Sequence, residues 1–263
     1  MRTALITGAG SGIGRAVAIA LGNSGYALAL VGRRRQPLEE TAELTGSPET
    51  LVLTGDLSVA GEAGAIVEAA AAGLSESGGL DVLVNNAGEA ALVPIGLMTP
   101  AAWDRALAAN ASSAAYCTIA AWRHLAISGG TIVNIASMAV YDPLEGFMAY
   151  GAAKAAMAHL TVSSAKEGGP SGVTAYCLCP GAVETPMLRS VIDEATVPRS
   201  ATLQPEDVAA AVLACVRGEH LASNGQAIPI LPAASADWWS QWQTSHRSAW
   251  LGMSPMPGHK VEQ

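Results

Sequence analysis

The sequence predicts an α/β protein with a doubly wound parallel sheet of about seven strands, covered by helices in three α/β/α layers. Short apolar stretches alternate along the chain with longer segments of helical periodicity, as in successive βαβ units. The apolar stretches are continuous and do not alternate with polar residues, which is typical of strands buried on both faces. With 263 residues, half of them hydrophobic, the chain is long enough to bury a substantial core.

The predicted elements follow one another without a linker rich in Pro, Gly or Ser. We predict strands at 3–7, 26–31, 51–53, 81–84, 131–135, 173–178 and 226–231, and helices at 12–24, 36–45, 59–73, 99–126, 148–166 and 205–217. This order predicts one domain over 1–231, followed by a tryptophan-rich tail over 232–263. The tail holds Trp238, Trp239, Trp242 and Trp250. Because exposed indoles are unfavourable, we expect the tail to pack on the pocket or on a neighbouring subunit.

Composition excludes several classes of partner. A net charge of −8 argues against nucleic acid, since phosphate binding needs a basic surface. Glycines interrupt the N-terminus before a signal-peptide core is complete, and no apolar stretch approaches the roughly 18–20 residues of a membrane helix. We therefore expect a cytoplasmic protein without a membrane partner. The four cysteines show no CxxC spacing and the five histidines no HExxH pattern, so we predict buried thiols and no metal site.

The first predicted turn has the features of a nucleotide-binding site. The stretch "TALITGAGSGIG" is a strand followed by a glycine-rich turn and the start of a helix. Unpaired N–H groups and the partial positive charge of a helix N-terminus bind a pyrophosphate, and glycine lets the backbone approach it closely. Ligands of such sheets bind at the carboxyl ends of the strands. The predicted contacts are Thr7, Gly8, Ser11, Gly12, Ile13 and Gly14, in a TGxxxGxG pattern.

The end of the second strand indicates which dinucleotide is bound. An acidic residue there would bind the 2′-hydroxyl of NAD, but the sequence continues with Arg33, Arg34 and Arg35. Arginine holds a phosphate with two parallel hydrogen bonds. Arg33 and Arg34 therefore favour NADP(H), with NAD(H) still possible, whereas Arg35 fits a solvated helix start.

Four stretches occur in one order: "TGAGSGIG" (7–14), "NNAG" (85–88), "NIAS" ending at Ser137, and "YGAAK" (150–154). Together they closely resemble the classical short-chain dehydrogenase/reductase family over about residues 3–231. The resemblance implies a Rossmann-type fold and a nicotinamide cofactor. It places the adenine at Asp56, and the nicotinamide carboxamide at Thr185. The further cofactor contacts that it implies are Leu57, Asn86, Ala87, Gly88, Tyr150, Lys154, Pro180, Gly181 and Val183.

The same resemblance assigns chemistry to Tyr150 and Lys154, which lie one helical turn apart on one face. It implies that Tyr150 is the general acid/base, that Ser137 orients the substrate oxygen, and that Asn110 holds a water that relays protons to Lys154. Lowering a tyrosine pKa by about three units requires roughly 4 kcal/mol. An ammonium about 4 Å away supplies about that much at an effective dielectric near 20. We therefore expect Lys154 to lower the pKa of Tyr150.

The sequence is less informative about the substrate. Pocket walls are expected after Gly88, at 138–147 and at 185–200, with Met138, Tyr141, Phe147 and Met187 giving a partly apolar surface and Glu89 and Glu145 more often facing water. The leading prediction is an NADP(H)-dependent oxidoreductase acting on a small-molecule secondary alcohol or ketone. Alternatives are a 3-oxoacyl thioester reductase, a steroid, sugar or polyol dehydrogenase, and a non-catalytic NADP-sensing regulator. Acyl-carrier reductases often have a basic residue where this chain has Ser11, which disfavours that alternative. By analogy with the family, we expect a homotetramer or homodimer built on the helices at 99–126 and 148–166.

Overall fold

The computed structural model describes residues 1–232, and residues Met1–Ile230 form one compact unit. Residues 233–263, which contain all four tryptophans of the predicted tail, lie outside the described residues. The predicted boundary between domain and tail, and the packing of the tail, stay predictions.

A seven-stranded, all-parallel sheet forms the centre of the unit. Its strands are β1 (Thr3–Thr7), β2 (Ala27–Gly32), β3 (Thr50–Thr54), β4 (Val82–Asn85), β5 (Thr131–Ile135), β6 (Thr174–Pro180) and β7 (Ala227–Ile230). They lie in the order β3-β2-β1-β4-β5-β6-β7. The direction in which the strands are added reverses between β1 and β4, so the sheet is doubly wound. The predicted fold class is confirmed.

Helices cover both faces of this sheet. They are α1 (Gly12–Asn23), α2 (Arg35–Leu44), α3 (Ala60–Leu74), α4 (Pro100–Leu107), α5 (Ser113–Ser128), α6 (Met148–Gly168), α7 (Pro186–Val191) and α8 (Pro205–Val216). Val17, Leu38 and Val212 of α1, α2 and α8 belong to the core on one face. Val67 and Leu125 of α3 and α5 belong to the core on the other face, where α6 packs beside α5. The unit is therefore a three-layer α/β/α structure.

The helix predicted at 99–126 is divided into α4 and α5 by a π-helical turn at Ala108–Ser112. Two polar side chains bond to main-chain carbonyls at this turn. The Asn110 amide donates to Ala106 O at 2.9 Å, and the Ser113 hydroxyl donates to Ala109 O at 2.8 Å. Side chains that compete in this way for carbonyls are a common cause of local departures from the α-helical ladder. Such turns are frequent at functional sites, and this one contains a predicted catalytic residue.

A buried polar chain crosses the sheet below its carboxyl edge. The Asn85 amide donates to Thr118 Oγ1 at 3.1 Å and to Asn134 Oδ1 at 2.8 Å, and the Asn134 amide donates to Thr161 Oγ1 at 2.8 Å. Asn85 and Asn134 are register partners in β4 and β5. These bonds fix β4, β5, α5 and α6 to one another directly beneath the predicted catalytic residues.

Two expected absences concern the described residues only. Among residues 1–232 no helix combines the length and the apolar character needed to cross a bilayer. In the same part of the chain no three His, Cys, Asp or Glu side chains are grouped so that they could hold a metal ion. All four cysteines are buried and free.

Candidate active site

The glycine-rich turn lies where the sheet reverses, at the carboxyl ends of β1 and β4. Gly8 and Gly12 have φ angles of +66° and +53°, in the left-handed region that favours glycine. Gly14 faces the turn so closely that a Cβ there would overlap Gly8 O and lie 2.5 Å from Asn86 Nδ2. The Ser11 side chain makes no capping bond, so the first N–H groups of α1 stay available for an anion. Ile13 packs against the core below the turn.

Thr7 joins the glycine-rich turn to the "NNAG" segment. Its hydroxyl donates to Val84 O at 3.1 Å and accepts from the N–H groups of Asn86 and Ala87, both at 2.9 Å. The Asn86 amide returns a bond of 2.9 Å to Thr7 O. The two motifs, about eighty residues apart in the chain, therefore form one rigid unit at the switch point.

A cleft of about 330 Å³ opens along this edge. Its lining includes Gly8, Ser11, Arg33, Arg34, Asp56, Leu57, Ala87, Gly88, Glu89 and Arg105. Arg33 and Arg34 are exposed, and within residues 1–232 neither forms an ion pair, whereas Arg35 pairs with Glu39 of its own helix at 3.4 Å. Two guanidinium groups thus stay free for an anion at the end of β2.

Asp56 lies across the cleft from these arginines, after β3. Its carboxylate accepts from the Ser58 N–H at 2.9 Å and from the Ser58 hydroxyl at 2.7 Å. These bonds hold the pKa of Asp56 below its ordinary value. Asp56 is therefore an ionised acceptor at neutral pH, beside the backbone of Leu57.

Ser137, Tyr150 and Lys154 meet beyond the carboxyl end of β5. Ser137 caps a short 3₁₀ helix (Met138–Val140), and its hydroxyl accepts from Ala139 N at 3.1 Å. Tyr150 and Lys154 lie on the first two turns of α6, and the Lys154 Nζ is 5.6 Å from the centroid of the Tyr150 ring. Lys154 is buried and donates to Ile135 O at 2.9 Å. The predicted residues are thus gathered at one point.

The direction of the tyrosine pKa differs from the expectation. Burial raises the pKa of the Tyr150 phenol, a hydrogen bond with Ser137 opposes this, and Lys154 is not among the groups that lower it. The reason is that the ammonium is directed at Ile135 O and is itself desolvated, which lowers the pKa of Lys154 to about 8. The predicted lowering by Lys154 is therefore wrong for this arrangement of side chains.

Asn110 and Lys154 converge on Gly88. The Asn110 amide donates to Glu89 O at 3.0 Å, so its Oδ1 is turned to the other side. That Oδ1 is buried and has no hydrogen-bond partner among the described residues. A Cβ on Gly88 would overlap Asn110 Oδ1 and lie 3.6 Å from Lys154 Nζ. A buried acceptor and an ammonium therefore face the same small space, which suits a bridging water.

The segment after β6 closes the site from the side. Pro180 ends β6, the Gly181 N–H donates to Ile230 O at 2.9 Å, and Val183 forms a bridge with Leu203. Thr185 caps α7, a helix that sequence reasoning did not predict, by accepting from Leu188 N at 3.2 Å. A Cβ on Gly12 would lie 3.0 Å from the Thr185 methyl group, so Thr185 faces the glycine-rich turn.

The residues predicted to contact the substrate differ in burial and in their side-chain partners. Phe147 is buried, with its ring centroid 4.9 Å from that of Tyr150, and Met138 is buried beside Ser137. Tyr141 donates to Ala227 O at 3.2 Å and Met187 is exposed. Glu89, expected to face water, instead pairs with Arg105 at 3.2 Å. Glu145 is exposed, as expected.

Sequence reasoning missed two residues that shape the cleft. Arg15 donates to Gly10 O at 2.7 Å and to Thr41 Oγ1 at 3.0 Å. Thr41 in turn donates to Ala9 O at 3.0 Å. Both side chains attach α2 to the glycine-rich turn and so set the distance between that turn and Arg33. No motif could identify them, because their partners depend on how α2 docks.

These observations define a class of protein. A left-handed glycine turn that a Cβ would obstruct and the uncapped N–H groups of α1 fit a dinucleotide laid across the switch point. The Ser137, Tyr150 and Lys154 side chains fit acid/base chemistry next to such a ligand.

Comparisons with known proteins identify the family. The family described as short chain dehydrogenase matches residues 2–196. A putative ketoacyl reductase of the granaticin polyketide synthase of Streptomyces violaceoruber is 34% identical over 240 residues, which cover 86% of this chain and 93% of that protein. The chain belongs to the short-chain dehydrogenase family, as the motifs predicted, and is an oxidoreductase of that family.

Solved structures agree with this assignment. A 7α-hydroxysteroid dehydrogenase complexed with NADH and 7-oxoglycochenodeoxycholic acid superposes with a TM-score of 0.80 at 27% identity, over 88% of this chain and 93% of the other. A 3-ketoacyl-(acyl-carrier-protein) reductase from Brucella melitensis complexed with NADH superposes with a TM-score of 0.79 at 28% identity, over 87% and 96%. Members of the family bind a nicotinamide cofactor and act on small molecules.

Proposed function

We propose that the protein is an NADP(H)-dependent oxidoreductase that interconverts a secondary alcohol and a ketone at a centre formed by Ser137, Tyr150 and Lys154. The observation that carries the proposal is the meeting of these three side chains beside a cleft lined by the glycine-rich turn. The nicotinamide cofactor supplies the hydride in reduction and accepts it in oxidation.

The chain's own residues handle the proton. In reduction, the Ser137 and Tyr150 hydroxyls donate hydrogen bonds to the carbonyl oxygen, which stabilises the charge that develops there. Tyr150 then gives its proton to that oxygen, and the product is the alcohol. A raised pKa keeps the phenol protonated at neutral pH, which suits this direction. A water between Asn110 Oδ1 and Lys154 Nζ would return a proton to the centre.

Tyr150→Phe tests the catalytic assignment. The substitution keeps the ring beside Phe147 and removes only the hydroxyl, so we expect kcat to fall by about 10²-fold or more with little change in the KM for NADPH. The readout is NADPH oxidation across a panel of ketones. Tyr26→Phe is the matched control, because Tyr26 stacks under Arg2 in the core next to α1 and is expected to keep full activity. Full activity of Tyr150→Phe would exclude the proposed mechanism.

Arg33→Ala tests the cofactor preference. Arg33 lines the cleft and forms no ion pair with another described residue. We therefore expect the KM for NADPH to rise by about tenfold to a hundredfold and the KM for NADH to change by less than about twofold. Arg35→Ala is the control, because Arg35 is already paired with Glu39. Equal effects on both cofactors would contradict the assignment to NADP(H).

A 3-oxoacyl thioester reductase is the second candidate function. It is favoured by the granaticin relative and by the Brucella structure, whose names describe ketoacyl reduction. Binding of NADPH without turnover of any carbonyl would instead support a non-catalytic regulator.

The same proposal includes assembly into a homodimer or homotetramer in the cytoplasm. It is supported by α5 and α6, whose outer sides carry exposed apolar or small residues such as Ile119 and Ala156.

A further inference from the structure

We infer that the substrate of the proposed oxidoreductase is an uncharged, bulky, apolar carbonyl compound that enters the cleft as a free molecule and not on an acidic carrier protein. This inference rests on the proposed function and adds the substrate class to it. It is carried by exposed apolar side chains, by the charge of the segments that bear these side chains, and by the backbone hydrogen bonds that connect two of the segments near Tyr150.

Exposed apolar residues are concentrated in three segments that contain or adjoin predicted site residues. The segment 138–148 joins Ser137 to the helix of Tyr150, and 89–98 is bonded to it through the Val93 N–H and Gly146 O. A third segment, 184–199, contains Thr185, which faces the glycine-rich turn, and the three make up less than a fifth of the described chain. They nevertheless hold half of its exposed large hydrophobic residues, which we term the apolar rim: Leu92, Ile95, Leu97, Leu144, Met148 and Met187. Ile95 and Leu97 are more than 70% exposed, at 71% and 73%. Clusters of this kind mark binding surfaces, whereas single exposed leucines do not.

Backbone contacts connect the rim to the reacting groups. The Val93 N–H donates to Gly146 O at 2.9 Å, and the Phe147 N–H donates to Leu144 O at 3.0 Å. Phe147 in turn packs its ring against Tyr150. Leu92 and Leu144 are thus held in two adjoining loops, one of which leads directly into the catalytic tyrosine.

The charge of these segments disfavours an acidic partner. They carry six carboxylates and only two arginines, Arg189 and Arg199. Both arginines are already paired with Glu184, at 2.5 Å and 3.5 Å. The neighbouring Arg105 is paired with Glu89. On these three segments, a carboxylate-bearing substrate or an acidic carrier protein would meet net negative charge and no unpaired guanidinium.

The loop at 89–98 has few of the groups that a hydrophilic substrate would need. A sugar or polyol is recognised by several side-chain donors and acceptors, and each polar group left unpaired in a buried site weakens its binding. In 89–98 the only polar side chain is Glu89, which Arg105 occupies. In 138–148 the Tyr141 hydroxyl donates to Ala227 O. The side chains of 90–98 are all apolar, so burying an apolar ligand on this loop is the favourable interaction.

A substrate panel assayed with NADPH tests the inference. We expect kcat/KM for a bicyclic ketone such as 1-tetralone to exceed that for hydroxyacetone and for a carboxylated tetralone. We also expect an acetoacetyl group on a small thiol to be reduced at least as well as the same group on acyl carrier protein. Preference for the carrier-bound group, for the carboxylated tetralone or for hydroxyacetone would overturn the inference.

Variants of the rim locate the binding surface. Leu144→Ser is expected to raise the KM for tetralone about fivefold to tenfold and to leave the KM for NADPH unchanged. Leu44→Ser is the matched control, because Leu44 ends α2 and is 56% exposed, close to the 54% of Leu144. An equal response of both variants would contradict a role of the rim.

Calorimetric binding of tetralone to the NADPH complex separates this inference from the proposed function. We expect Tyr26→Phe, changed in the core next to α1, to bind tetralone with unchanged affinity, and Leu144→Ser to bind it about fivefold to tenfold more weakly. Binding without reduction by the unmodified protein would overturn the proposed function and support the rim. Reduction of polar ketones without binding of tetralone would do the opposite.

Discussion

At the scale of single residues, the sequence identifies the reacting groups but not their electrostatics. The motifs predict that Ser137, Tyr150 and Lys154 belong together, and the structure places them at one point. The prediction that the Tyr150 pKa is lowered was wrong, because a one-turn spacing fixes the distance along the helix and says nothing about desolvation. The Lys154 ammonium is buried and donates to Ile135 O, and both facts depend on how α6 packs against β5.

Lys154→Met tests this burial through the pH dependence of stability. Burial lowers the pKa of Lys154 from 10.5 to about 8, while the unfolded chain keeps the ordinary value. Between these pH values the unfolded state binds more protons, so this lysine destabilises the fold most below pH 8 and progressively less as the pH rises. Relative to Lys154→Met, the unmodified protein should therefore gain about 2 kcal/mol between pH 7 and pH 9.5.

The measurement is urea unfolding of both proteins without cofactor at the two pH values. Contributions from the buried tyrosines and cysteines cancel in the difference between them. A difference in the free energy of unfolding that does not vary with pH would show that the ammonium is not desolvated.

At the scale of elements, hydrophobic pattern and turn chemistry predict most of the architecture. All seven strands lie within a few residues of their predicted ranges because buried parallel strands are continuous apolar stretches. The π-helical turn at Ala108–Ser112 was not predicted, because it depends on the Asn110 and Ser113 side chains competing for carbonyls. The arginine and threonine that attach α2 to the glycine-rich turn have no local signature either.

Gly14→Ala tests the fit between this turn and "NNAG". The added methyl group would overlap Gly8 O and approach Asn86 Nδ2, so α1 must shift away from the switch point. We expect a loss of about 1–3 kcal/mol in the free energy of unfolding and at least a tenfold weaker binding of NADPH. Both are measurable by urea unfolding and by quenching of protein fluorescence.

Gly64→Ala serves as the control for this substitution. Gly64 lies inside α3, and a Cβ there meets no atom within 4 Å. Alanine is the better helix former, so this variant should be more stable by up to about 1 kcal/mol, with unchanged NADPH binding. If the two variants had the same stability and the same affinity for NADPH, the close contact at Gly14 would have no effect on either quantity.

At the scale of the whole molecule, one helical layer has an outer side on which residues 1–232 leave apolar side chains exposed. α5 presents Ile119 at 72% exposure, and α6 is rich in alanine on all sides. Sequence reasoning proposed assembly on these helices only by analogy, since the composition of a surface does not reveal its partner.

Ile119→Glu tests assembly on this layer. A carboxylate in the centre of an apolar interface has to be desolvated, so we expect the oligomer to dissociate at micromolar concentration. Light scattering after size-exclusion chromatography measures the mass. Leu44→Glu on α2 should leave the mass unchanged. An Ile119→Glu protein with unaltered mass would exclude α5 from the interface.

The paired amides of Asn85 and Asn134 have a consequence for how reliably the chain finds its structure. Most neighbouring strands of this sheet pair through apolar side chains, but a slip of β4 past β5 by one position would separate the Asn85 amide from Asn134 Oδ1 in a dry interior. The amide pair thus disfavours folding intermediates in which β4 and β5 pair in a shifted register. It does so at the carboxyl ends of the strands, where the cofactor and the substrate bind.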